Sequence, residues 1–260
     1  MKISSIQMDI AFGQPDENCR RVRERVEQAV EQEQAEVVVL PEMWNTGYDL
    51  TRLDDIADRG ALREWMSRLA REKKVTLVAG SIAEKDEKGC YNAGYVFSPD
   101  GTELAGYRKL HLFRLMEEEK YLIPGEDGRV AFEIGGHRAG IIICYDLRFP
   151  EMIRSLALDG MQILFVPAEW PHPRLNHWRV LNQARAVENQ LFVVAVNRVG
   201  QGGKNTFCGH SMVIDPWGEI LAEGEEEETI LTVDIDLNEV DRVRRKIPVF
   251  KDRVPDRYRL

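Results

Sequence analysis

Three residues able to attack a carbonyl or carry a proton stand directly behind short apolar runs. Glu42 follows residues 37–40, Cys144 follows 141–143, and Glu169 follows the run that begins at Ile163. Runs this short and rich in β-branched residues read as buried strands. In open α/β sheets the ligand crevice lies outside the carboxyl ends of the strands, so thiol and carboxylates far apart in the chain can converge on one pocket. Cys144 is the candidate nucleophile. A polar turn follows it, and Pro150 then opens a segment of helical spacing over 151–158; proline suits a first helical position, where its missing N–H costs nothing. An exposed turn beside a helix N-terminus lowers a thiol pKa and offers backbone N–H groups to an oxyanion. The competing reading is a small buried core thiol, which most lone cysteines are.

A cysteine nucleophile needs a base for its proton, a positive group for the oxyanion and an acid for the leaving group. Glu42 can serve as base and then as acid; alternatively it caps a turn at a strand end. Lys109 lies in a run from Gly106 to Phe113 whose alternation sets Tyr107, Lys109 and His111 on one strand face. Such a lysine is either an edge-strand gatekeeper or an inward functional cation.

The elements that must position these groups read as strands at 2–8, 36–40, 75–83, 91–97, 103–112, 130–134, 138–144, 163–166 and 191–197. Helices read from Pro15, around 62–69, after Pro150 and over about 175–189, and a hairpin forms around Asp215–Gly218 before a last strand, a short helix and a basic tail. Strand–helix–strand units alternating with hairpins imply a mixed α/β sheet with helices outside. The chain has 260 residues, with 43% apolar and 30% charged side chains. These values describe a globular α/β protein, and no composition shift marks a linker within 1–260. A net charge of −9 with no basic stripe argues against nucleic acid as partner. Four dispersed cysteines, with no CxxC or Cys/His cluster, suit a reducing compartment rather than a disulfide scaffold. No signal-peptide core and no membrane-spanning apolar run is present, and the reading is cytoplasmic.

Five blocks carry a resemblance. Leu40-Pro41-Glu42, the run from Tyr107 to Phe113, and the run from Ile143 to Glu151 resemble, in order and spacing, the signature blocks of the nitrilase or carbon–nitrogen hydrolase superfamily. The blocks from Ala184 to Asn189 and from Gly209 to Gly218 extend the likeness along nearly the whole chain. The resemblance implies an α-β-β-α sandwich, one domain over 1–260, and a Glu–Lys–Cys triad of Glu42, Lys109 and Cys144. It further implies a second glutamate ahead of Pro124-Gly125, matched by Glu118 within the run Glu117-Glu118-Glu119. It implies oxyanion donation by Lys109 and the Tyr145 N–H, a thioester intermediate, and chemistry that needs no metal or organic cofactor. Within the superfamily, the blocks from Glu169 to Arg174, His177-Trp178, and Asn197 to Gly200 resemble the omega-amidase branch, which hydrolyses the terminal amide of 2-oxoglutaramate or 2-oxosuccinamate.

Such a substrate carries a remote carboxylate, for which Arg148 and Arg174 are the candidate partners. Arg148 reads equally as a brace of the turn after Cys144, and Arg174 as a solvent-facing residue. Trp44, Tyr48 and Trp170 are candidates to close the pocket, or else ordinary packing. Other readings are another amidase of the superfamily, acting on an N-carbamoyl amine, an aliphatic amide or deaminated glutathione, and a catalytically silent binding or assembly module. The resemblance also implies a homodimer, with the tail at 246–260 reaching over the partner.

Overall fold

Residues 37–39 show how the layers are built. Val37 and Val39 face a core of buried side chains drawn from two sheets, while Val38 faces a separate core beneath the helices Pro15–Glu31 and Ala61–Lys73. This is the period-two alternation of a strand covered on both faces. The computed structural model describes residues 1–128 and 130–258; the final two residues of the expected tail lie outside it. Its strands are β1 (Lys2–Gln7), β2 (Val37–Val39), β3 (Thr76–Lys85), β4 (Cys90–Phe97), β5 (Glu103–Arg108), β6 (Ala131–Ile134) and β7 (His137–Ile141). They continue with β8 (Ile163–Ala168), β9 (Phe192–Asn197), β10 (Val199–Gly202), β11 (Asn205–Cys208), β12 (Met212–Ile214), β13 (Ile220–Glu223) and β14 (Thr229–Asp234). The helices are α1 (Pro15–Glu31), α2 (Leu53–Ile56), α3 (Ala61–Lys73), α4 (Pro150–Leu158), α5 (Leu175–Asn189), α6 (Asn238–Lys246) and α7 (Val249–Asp252).

One sheet has the order β14-β1-β2-β3-β4-β5 and the other β13-β12-β9-β8-β7-β6. They touch through β1 against β9 and β3 against β8; α1 and α3 cover the first sheet, and α4 and α5 lie against the second. The result is the α-β-β-α sandwich that the resemblance implied. In α1, Pro15 occupies the first turn with Asp16 and Glu17, and Val22, Val26 and Ala29 are buried at helical spacing. The acidic first turn complements the positive end of the helix dipole. Among the described residues no helix is long and apolar enough to cross a membrane.

What matters for chemistry is direction. β2 runs parallel to β1 and β3, and β7, β8 and β9 run parallel to one another. The segments leaving these strands meet along one edge of the sandwich.

Two expectations need correction. The strand expected over 103–112 ends at Arg108. Lys109 still pairs its N–H with the Asn92 carbonyl, but its own carbonyl accepts from the Gly125 N–H at 2.9 Å, so the Pro124-Gly125 segment takes the place of a further strand. A Cβ on Gly125 would lie 2.1 Å from the Arg108 carbonyl oxygen, so only glycine permits this approach. The hairpin β10–β11, not expected from the sequence, forms a small two-stranded sheet of its own.

Candidate active site

Glu42 reaches the edge through a crowded turn. Gly80 sits at a register break in β3 with φ +59°, and a Cβ there would lie 2.0 Å from the Pro41 carbonyl oxygen. Glycine thus lets residues 40–41 cross close over β3. The next turn is held by the Met43 N–H on Ser81 Oγ at 3.0 Å, and by Asn45 exchanging hydrogen bonds with the Ala83 backbone. Glu42 is fully buried. Its Oε1 accepts from Lys109 Nζ and Asn92 Nδ2, both at 2.8 Å, and its Oε2 accepts from the Glu169 N–H at 2.7 Å.

Lys109 Nζ donates also to Glu118 Oε1 at 2.7 Å, so the ammonium bridges two buried carboxyl groups. Burial by itself pushes the ammonium pKa down; the Glu42 charge, followed by Cys144, overcomes this and the net direction is up. One cation cannot neutralise two carboxylates out of water. Glu118 is accordingly held well above the usual carboxylate range, by burial first and by Glu42 second. Its Oε2 accepts from the Phe113 N–H at 2.8 Å and its Oε1 from the Tyr48 hydroxyl. Glu118 is the buried member of its run: Glu117 pairs with Lys120 at the surface and Glu119 is exposed.

Cys144 opens a 3-10 turn, Cys144–Arg148, with φ +46°. Met43, Tyr48 and Glu117, all adjoining this cluster, also have positive φ. A non-glycine residue in this region costs roughly 1–3 kcal/mol and persists where the surroundings over-determine it, often at functional sites. The Glu42 side chain lies near enough to the thiol to interact with it. Its pKa lies well above the usual thiol range, from burial first, then Glu42, with Lys109 opposing. This corrects the expectation of a lowered thiol pKa: the turn is buried rather than exposed, and a nearby carboxylate outweighs a cation and a helix end. The Tyr145 N–H, second in the turn, belongs to the first-turn donors that have no intrahelical acceptor.

The turn has a keystone that the sequence reading passed over. Asp146, fully buried, accepts from the Ile143 N–H (3.0 Å), the Tyr107 hydroxyl (2.7 Å), the His111 N–H (3.0 Å) and His111 Nδ1 (2.8 Å). Tyr107 and His111 flank Lys109, so one carboxylate ties the cysteine turn to the lysine segment. Their expected shared facing with Lys109 was the available signal; the acceptor was not. Asn92 was also missed, and its signal was a lone amide inside an otherwise apolar strand. The brace considered for Arg148 is supplied by Arg185 from α5, which donates twice to the Leu147 carbonyl, at 3.1 and 2.9 Å.

Over Cys144 lies a narrow cavity, with room of about 10 Å3, lined by Phe113, Tyr145, Arg148, Trp170, Pro171 and Arg174. Arg148 stands 4.9 Å from the Trp170 ring centroid and contacts His177 Nδ1 at 3.2 Å; Arg174 stands 5.4 Å from the Phe113 ring centroid. Among the described residues neither guanidinium is ion-paired with a carboxylate. Burial draws the Arg148 pKa down, and the nearby Arg174 charge adds to this. Two of the expected pocket residues are placed elsewhere. Tyr48 meets the carboxyl cluster through its hydroxyl, and Trp44 is core, donating to the Ala79 carbonyl at 2.9 Å and packing on Trp65. Trp170 does line the cavity. Among the described residues no group of three or more His, Cys, Asp or Glu side chains is arranged to hold a metal ion. The arrangement can deliver a sulfur nucleophile, a carboxylate beside it, a fixed cation and a backbone donor to one carbonyl, beneath two positive charges.

Comparison with known proteins bears on this geometry. The description of the carbon-nitrogen hydrolase family matches residues 2–245. The chain is 47% identical over 259 residues to the 2-oxoglutaramate amidase of Bacillus subtilis (strain 168), covering 98% of each chain. It is 36% identical over 271 residues to the omega-amidase NIT2 of Homo sapiens, covering 99% of this chain and 94% of that one. Among solved structures it is similar to XC1258 from Xanthomonas campestris, a CN-hydrolase superfamily protein with an arsenic adduct in its active site. There the identity is 30% and the TM-score 0.91, over 100% of this chain and 98% of the other.

Proposed function

As this chain belongs to the carbon–nitrogen hydrolase family, and is a hydrolase of non-peptide carbon–nitrogen bonds, we propose that it removes the terminal amide of a short carboxylate-bearing substrate of the 2-oxoglutaramate type. Cys144 is the nucleophile, Glu42 the proton carrier, and Lys109 with the Tyr145 N–H the oxyanion site. The observation that carries the reading is the Lys109 ammonium bridging buried Glu42 and Glu118 beside the Cys144 thiol.

Because the thiol rests protonated, its proton passes to Glu42 as sulfur attacks the amide carbon. The oxyanion forms against Lys109 Nζ and the Tyr145 N–H; one such donor is worth about 3 kcal/mol of barrier. Glu42 returns the proton to nitrogen, the carbon–nitrogen bond breaks, and ammonia leaves a thioester. Water attacks the thioester, giving its proton to Glu42, and the acid departs as the proton returns to sulfur. Glu118, its carboxyl held above the usual range by burial and then by Glu42, keeps Lys109 in place, and Tyr48 orients Glu118. Arg148 and Arg174 hold the substrate's remote carboxylate, and Trp170 and Phe113 flank its short chain. The names of the relatives support the oxo-amide, as do the two guanidiniums with no carboxylate partner among the described residues.

Exposed Leu158, Val187, Val254 and Tyr258 on α4, α5 and the tail support a homodimer through that face, which mass in solution with and without residues 246–260 tests. Four unpaired cysteines support a reducing, cytoplasmic setting. The deciding assay is ammonia release from 2-oxoglutaramate, glutamine, an N-carbamoyl amine and a simple nitrile by the wild type and Cys144→Ala. Turnover of the oxo-amide, abolished by the substitution, is the expected result. Turnover of a different substrate alone overturns the substrate class, and activity surviving in Cys144→Ala overturns the nucleophile.

A further inference from the structure

Glu169, at the end of β8, is buried against the cluster, yet the mechanism above uses only its backbone. Its N–H donates to Glu42 Oε2 at 2.7 Å. Its side chain is fully enclosed, with Oε2 accepting from the Arg198 guanidinium at 3.2 Å and Oε1 meeting no hydrogen-bond donor among the described residues. Arg198 is a shared cation. It also donates to Asp9 Oδ1 at 2.8 Å, to the Ile10 carbonyl at 2.8 Å and to the Gly47 carbonyl at 3.4 Å. A buried ionised carboxylate with one bare oxygen and part of one cation is costly, whereas the neutral acid is much less so.

We propose that Glu169 is a positioning residue for Glu42: Arg198 anchors its carboxyl group, the anchored residue aims its N–H at Glu42 Oε2, and the side chain stays uncharged while Glu42 works as base. The proposal rests on the reading of Glu42 given above. The charged groups facing Glu169 are Glu42 beyond β2, Arg198 beyond β9, and Asp9 beyond β1, which competes for Arg198. Burial, with Arg198 opposing and Glu42 and then Asp9 adding, pushes the Glu169 carboxyl up to about 8. Ionising it sets a second negative charge beside Glu42, against the thiolate and the oxyanion that must form. The amide of Glu169→Gln is a permanent neutral mimic of the working state.

The test is the pH dependence of kcat and KM for the wild type, Glu169→Gln and Glu169→Ala. Near pH 6.5 the first two agree within about three-fold. Above about 8 the wild type declines, and Glu169→Gln is several-fold more active. Glu169→Ala, which loses the anchor, drops about ten-fold or more in kcat at every pH with KM little changed, and the glutamine variant restores it. A Glu169→Gln profile that overlays the wild type to the alkaline end, or an inactive Glu169→Gln near pH 6.5, overturns the proposal. Iodoacetamide alkylation, read at the Cys144 peptide by mass spectrometry, is the second measurement. The wild type reacts more slowly than Glu169→Gln above about 8 and equally below it; a ratio constant with pH overturns the inference. Since alkylation needs no amide substrate, it separates failure of this inference from failure of the amidase assignment, which Cys144→Ala decides.

Discussion

The floor and the mouth of the cysteine cavity are both charged, and they treat charge in opposite ways. On the floor, the Lys109, Glu42 and Glu118 side chains are wholly enclosed and bonded to one another. At the mouth, Arg148 and Arg174 lie against aromatic rings with no carboxylate partner among the described residues. Breaking a buried ion pair by removing one member costs about 3–5 kcal/mol, because the other charge is left stranded. A half-exposed arginine carries no such penalty, and its planar fork suits a bidentate anion. On the reading proposed above, the floor is complete before substrate arrives and the mouth is completed by it.

If this contrast is right, substitutions on the floor strike kcat and stability, and substitutions at the mouth strike KM. The largest effect is expected for Glu42→Gln and Lys109→Met, each lowering kcat by roughly a thousand-fold or more, with Lys109→Met also unfolding at clearly lower denaturant concentration. Steady-state kinetics and urea titration check both, and a pure KM effect would break the contrast. Next, Arg174→Ala or Arg148→Ala raises KM by about ten-fold or more, consistent with loss of a charge-assisted hydrogen bond, and leaves kcat within a few-fold. Lysine at either position restores only part of the affinity, having no planar fork. Smaller is Asp146→Asn, which leaves the Tyr107 hydroxyl and two backbone donors with a weaker acceptor. A kcat loss of about ten-fold with a modestly lower melting temperature is expected, and an unchanged kcat would remove Asp146 from the bridge between floor and nucleophile.

The smallest effect is one of pH on stability. Between the ordinary carboxylate value of 4.5 and about 8, folded Glu169 keeps a proton that the unfolded chain has released. The native state then binds more protons, so this group's contribution to stability falls as pH rises through that window and levels off above it. Urea titrations at several pH values should show a shallower decline for Glu169→Gln than for the wild type.

Much of this was legible in one dimension. Short β-branched runs ending in Glu42, Cys144 and Glu169 gave away strands whose ends meet in one buried cluster, because period and composition are local properties. Pro150 at the start of α4 and the buried stripe of α1 were legible for the same reason. The Asp146 keystone was not, since its partners Tyr107 and His111 are 39 and 35 residues away. The end of β5 at Arg108 was not legible either, because it is decided by a carbonyl of Lys109 turning to Gly125 instead of to a neighbouring strand.

Residue identity and order alone determined which side chains were available and on which strand ends they stood; the lysine–glutamate–cysteine set came from the family resemblance. Only the tertiary structure decided their charge states and company. It singled out Glu118 from three adjacent glutamates, moved Tyr48 from the pocket to the carboxyl cluster, and raised the thiol pKa where a helix end alone would have lowered it. The reason is that burial and Coulomb interactions depend on distances through space. Whether a group meets water, a cation or a second carboxylate is settled only when the two sheets close on each other.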